Sequence, residues 1–188
     1  MNESPASGVY TFAEMNYLRL EAMDLFERCL TEGQTLPLEV FVQQQIAQDP
    51  PRVELLREVA EDLHQRLLAL REHHFDVRDR VLRLIRDEFK LDLSPLIPLR
   101  ALENFHLFDA DEAVRFLGQQ LALSPQEEAT LRATLKASLD DAAQLHRDVM
   151  MTEKLYEYVM DWVMGLNATV TRRFWAESAL RASGECIH

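Results

Sequence analysis

From Leu56 onward, apolar positions recur at alternating spacings of four and three: Leu56, Ala60, Leu63, Leu67, Leu70, His74, Val77, Val81 and Leu84. The mean period is 3.5 residues, the seam of a coiled coil, and a strand with its period of two cannot carry it. The pattern crosses His73-His74-Phe75-Asp76 without slipping. It predicts one helix over about 51–90, roughly 60 Å long at 1.5 Å per residue. The alternative is a break at Asp76, which with Asp79 would cap a second helix. A single helix cannot bury so long a stripe against itself. The chain must supply a second long helix, a second copy, or both.

The helix punctuation fills in the rest. Thr11 and Glu14 have capping-box spacing, ahead of the apolar positions Met15, Leu18, Met23, Leu25, Phe26 and Leu30. Gly33 is suited to the residue just past that helix's end. A short helix follows from Pro37 to about Gln48, with Pro37 near its first turn. After the long helix, Ser94-Pro95 and Pro98 force a change of direction, because proline cannot donate within a helix. A short helix is expected over 98–106. Asp109 with Glu112 is a second capping box, opening a helix that ends near Leu123. Ser124-Pro125-Gln126-Glu127 is a third, with Pro at the first helical position, and no stop appears until Gly165 or even Gly184.

These elements predict an all-α fold, a helical bundle built on a long antiparallel hairpin of about 51–90 and 125–164 or beyond, with shorter packing helices. Composition agrees: Ala, Glu, Leu, Lys and Arg fill 88 of 188 positions, while Gly contributes 5 and Pro 7, too few for a sandwich or a doubly wound sheet. The expected organisation is a disordered N-terminal tail over 1–10, one helical domain over 11–183 and a flexible C-terminal tail over 184–188. Helices of about 40 residues exceed the diameter of a compact domain of this size. A second copy would cover the excess, so a homodimer is expected.

The formal net charge of −12 disfavours nucleic acid or an anionic membrane as the main partner. No window approaches 18 uninterrupted apolar residues, and MNESPASGVY has neither a basic nor an apolar signal region. Cys29 and Cys186 form no disulfide framework or CxxC site. Cys-Ile-His at the end is one residue short of a prenylation box, and the sequon at Asn167-Ala-Thr reads as coincidence without a secretory signal. A reduced, cytoplasmic protein is expected.

Two pairs of residues have the spacing of metal ligands. Glu61 with His64, and Glu103 with His106, each set a carboxylate and an imidazole one turn apart, the spacing of ferritin-like di-iron bundles. Glu14, Glu21 or Glu153 would supply the further ligands. The chain order lacks the glutamate-only helix that should separate the two pairs, and pairs of this kind arise readily by chance among 19 Glu and 6 His. No metal and no cofactor are therefore expected; a metal- or tetrapyrrole-binding bundle is the alternative. His74 sits on the seam itself, where it reads as a register-fixing polar residue rather than a pH switch. Arg83, Arg86 and Lys90 form a basic stripe, but Asp79 and Asp87 lie at pairing distance and no aromatic is interleaved for base stacking. Neither a phosphate-binding loop nor a nucleophile elbow is present, and no enzyme is expected.

Residues 149–166 carry the widest apolar surface. The charged sector shrinks to Glu153, Lys154, Glu157 and Asp161, where a surface helix usually keeps its apolar stripe to about a third of the circumference. Tyr156, Val159, Met160 and Val163 make one seam. Met151, Leu155, Tyr158 and Trp162 make a second flank, roughly 120° away. Upstream, Leu131, Leu135, Leu139 and Leu145 form one ordinary stripe. Either this stretch is the central helix of the bundle, flanked by 12–32 and 37–48, or its Met/Tyr/Trp flank is an interface. The two are compatible when the partner is a second copy. Arg172, Arg173 and Trp175 extend the surface beyond Gly165, where a hinge or kink is expected.

The expected function is a non-enzymatic protein–protein interaction module: an adaptor, assembly factor or regulator. Its contacts are expected at Met151, Leu155, Tyr158, Trp162, Arg172, Arg173 and Trp175. An acidic helical mimic that occupies a basic site on another protein is a third reading.

Overall fold

The computed structural model describes residues 10–87, 89–92 and 110–182. Among the described residues there are five helices: α1 (Phe12–Glu32), α2 (Leu36–Ile46), α3 (Val53–Asp87), α4 (Ala110–Leu121) and α5 (Pro125–Ala182). Among the described residues there is no strand. The fold is an all-α bundle. Among the described residues no helix is long and apolar enough to cross a membrane. The helix expected over 98–106, the Asp109 cap and the tail beyond 182 lie outside the described residues.

The caps form as the sequence spacing requires. The Thr11 hydroxyl accepts from the Glu14 amide at 3.3 Å, while the Thr11 amide donates to the Glu14 carboxylate at 2.8 Å. These hydrogen bonds from Thr11 hold the Glu14 carboxyl below its ordinary range. Ser124 and Glu127 repeat the box at the start of α5, at 3.3 and 2.8 Å. At the end of α1, Gly33 is left-handed (φ 65°), and the Gln34 amide donates to the Cys29 carbonyl at 3.2 Å. That six-to-one bond is a Schellman closure. The end of α4 closes in the same way without a glycine: Ala122 takes φ 53°, and the Leu123 amide donates to the Gly118 carbonyl at 2.9 Å.

The α3 helix is continuous through His73-His74-Phe75-Asp76, so no cap forms at Asp76. Every seam position from Leu56 to Val81 is buried, His74 included at 7% exposure. At the end the seam drifts: Ile85 is fully buried, and Leu84 is only half-buried. A straight helix turns 3.6 residues at a time and slips by about 20° per heptad against a 3.5 repeat, which moves the buried position one residue on. The α5 helix runs on through Gly165 to Ala182 without a break in helical structure.

The chain forms two compact units, residues 1–65 with 151–188 and residues 66–150. In the first unit, four helices share one core: Ala22, Phe26 and Cys29 of α1; Leu38, Phe41 and Val42 of α2; Leu55 to Leu63 of α3; and Leu155, Val159 and Val163 of α5. Here α3 and α5 run in opposite senses, since Arg57 donates to Asn167 at 2.6 Å and, two turns on, His64 packs on Tyr156. Arg19 ties α1 to α3 through Asp62 at 2.5 Å. In the second unit, Val81 and Ile85 pack with Ala113, Val114 and Leu117 of α4 and with Leu131, Leu135 and Leu139 of α5. Leu67 and Leu70 meet Val149 in a smaller cluster.

Candidate functional site

The α2 helix has two apolar faces. Leu38, Phe41, Val42 and Gln45 are buried, and Gln45 is satisfied there by Arg52, whose guanidinium donates to its side-chain oxygen at 2.9 Å. On the opposite side Leu36 and Val40 are 61% and 46% exposed, one helical turn apart. They continue through Gln43 and Ala47 as one stripe facing a groove of about 430 Å³, whose far wall is Tyr158 of α5. The Gln43 amide donates to the Tyr158 hydroxyl at 3.5 Å. Glu39 places a carboxylate on the rim.

The residues singled out on α5 divide. Met151, Tyr158 and Trp162 are half-buried and pack against the four-helix core. Leu155 is fully buried and lies within that core. Its placement has a geometric cause. At 100° per residue Leu155 lies only about 40° from Val159, whereas Tyr158 lies about 100° away. The buried line is therefore Leu155, Val159 and Val163, with Thr152 beside it, and Tyr156 and Met160 sit at its half-buried edge. Of the two readings of 149–166, the helix does take the position shared by α1, α2 and α3. Arg172 is exposed and donates to the Ala168 carbonyl at 3.2 Å. The side chains of Arg173 and Trp175 lie outside the described residues.

The sequence reading missed Leu36, Val40 and Gln43. The signal was present, because Leu36 and Val40 stand at i and i+4 outside the buried face of α2. What could not be read was that α5 would bring Tyr158 opposite them.

The other constellations are ordinary in their surroundings. The Glu61 carboxylate accepts from Gln65 at 2.7 Å. The ring of His64 packs on Tyr156 with centroids 5.3 Å apart, and its Nδ1 has no hydrogen-bond partner among the described residues. Glu103 and His106 lie outside the described residues. Among those described, no three His, Cys, Asp or Glu side chains gather as metal ligands would. Arg86 pairs with its neighbour Asp87 at 2.7 Å, which holds the guanidinium above and the carboxyl below their ordinary ranges. Burial pushes the Cys29 thiol up. A second shallow groove near the N-terminus is walled by Tyr10, Tyr17 and Arg52, with the Arg52 guanidinium 4.2 Å from the centre of the Tyr10 ring.

Residues 54–157 match the model of a protein family described as a domain of unknown function, DUF8810. The match takes in α3 from Glu54, the whole second unit and α5 as far as Glu157; α1, α2 and Tyr158 stand outside it. No curated protein and no solved structure matches the chain.

Proposed function

The chain belongs to the DUF8810 family, and from that premise we propose that it is a non-enzymatic protein-interaction module, an adaptor, assembly factor or regulator, whose α2–α5 groove holds another protein. The observation that carries this reading is the exposed stripe of Leu36 and Val40 facing Tyr158. Apolar side chains one turn apart over an aromatic wall suit the anchors of a bound helix, and aromatic residues concentrate at the centres of such interfaces.

A photo-reactive phenylalanine analogue placed at Val40 tests the reading in the native cell. Adducts formed from Val40 and not from the equally exposed Leu68 of the other unit support it. Absence of adducts, or the same adducts from both positions, rejects it. Pairing of two copies, the form expected from the sequence, is tested separately by light scattering at micromolar concentration. A mass of twice 21.8 kDa supports a homodimer, and 21.8 kDa rejects it.

A further inference from the structure

The charge of the chain is concentrated on the unit that carries the groove. Residues 1–65 and 151–188 hold 17 acidic and 8 basic residues, a net −9 of the total −12. Locally, Glu39 lines the groove. On α5, Glu157 and Asp161 are exposed beside Tyr158, with Lys154 as a base on the same side. An apolar floor with an acidic rim selects for a partner that offers apolar anchors and positive charge together. A second copy would bring its own Glu39, Glu157 and Asp161 against the same carboxylates and meet like charge, which costs association several-fold or more.

The shape narrows the partner further. The stripe from Leu36 to Ala47 spans about three turns, roughly 16 Å at 1.5 Å per residue. Its lining comes from α2 and from Tyr158 of α5 and offers no open strand edge, so an extended peptide would find no backbone partners there. A helix of three to four turns fits, with its own anchors at i, i+3 or i+4, and i+7. We infer that the α2–α5 groove is a docking site for a basic amphipathic helix of another protein, in preference to a second copy of this chain. The inference rests on the interaction-module reading and adds the chemistry of the partner.

The test uses the full chain and two labelled synthetic helices of about 14 residues, four turns long. Both carry Leu at the anchor positions; one has Lys on the flanking positions and the other Glu. Fluorescence anisotropy in about 150 mM salt should show the Lys helix bound at least about tenfold tighter than the Glu helix, with the advantage shrinking as salt rises. Val40→Lys should weaken the Lys helix by about tenfold, while Leu68→Lys, an equal charge change on an equally exposed residue of the other unit, should leave it within about twofold. Leu36→Lys, one turn away, replaces Val40→Lys should that variant lose its helical spectrum. Glu39→Lys combined with Asp161→Lys should narrow or reverse the preference between the two helices. Equal binding of both helices, equal weakening by Val40→Lys and Leu68→Lys, or no binding of the Lys helix would overturn the inference. Specific adducts from Val40 alongside equal peptide binding would overturn the charge argument and leave the interaction reading standing. Absence of adducts removes the reading itself.

Discussion

The imidazoles of His74 and His146 face each other from α3 and α5, with ring centres 5.8 Å apart and planes inclined by 43°. His74 is buried, and His146 is held below its ordinary pKa by burial, with a smaller contribution from Arg147. In the unfolded chain His146 titrates near 6.5, and in the folded one at lower pH. Acidification through that range therefore protonates the unfolded state first, and stability falls as the pH falls. The thermal midpoint should drop between about pH 7.5 and about pH 5.5. His146→Gln should shrink that drop. An unchanged pH dependence in the variant would show that His146 does not contribute.

Leu155 and Tyr158 are three residues apart on α5 and are expected to behave oppositely. Leu155 is fully buried, so Leu155→Ala should cost about 3 kcal/mol through lost transfer energy and an unfilled cavity. Tyr158 is half-buried at a groove wall, and Tyr158→Ala should cost less than about half of that. Denaturant unfolding monitored by the helical signal gives both values. The reverse ranking would put Tyr158 in the core and Leu155 at its edge.

The two left-handed helix ends make a matched pair. Gly33 has φ 65° with nothing within 4 Å of where a Cβ would stand, so Gly33→Ala costs backbone strain alone, about 1 kcal/mol. Ala122 already bears that strain at φ 53°, so Ala122→Gly should stabilise α4 by up to about 1 kcal/mol. Opposite signs in the two unfolding midpoints are the expected result.

Arg19 and Asp62 join α1 to α3 with side chains 42% and 25% exposed. Water and salt screen a pair placed this way. A double-mutant cycle with Arg19→Ala and Asp62→Ala should return a coupling of about 0.5 kcal/mol that fades at high salt. A coupling of several kcal/mol would mean the pair is far better shielded than its exposure indicates.

Much of the architecture was legible locally, because caps and periods are properties of neighbouring residues. Thr11 with Glu14, Ser124 with Glu127, and Gly33 each fix a helix end through bonds that reach no more than five residues. The seam from Leu56 to Val81 fixes the buried face of α3 in the same way, since a helix repeats its faces at a constant angle whatever packs against it. Ala122 was not legible. Alanine seldom takes positive φ, and here it goes with the closure from Leu123 to Gly118.

The candidate site is where local reading ended. On α5 the residues from Met151 to Trp162 are apolar over most of the circumference, so the sequence alone determined that this stretch is covered on more than one side. Which side chain is covered by which helix is decided by long-range packing. The α2 helix settles over α5 with Leu38, Phe41 and Val42 inward, and that choice sends Leu155 into the core while leaving Tyr158 opposite Leu36 and Val40. Periodicity assigns faces to one helix at a time; a groove belongs to two, and only the tertiary structure fixes the angle at which they meet.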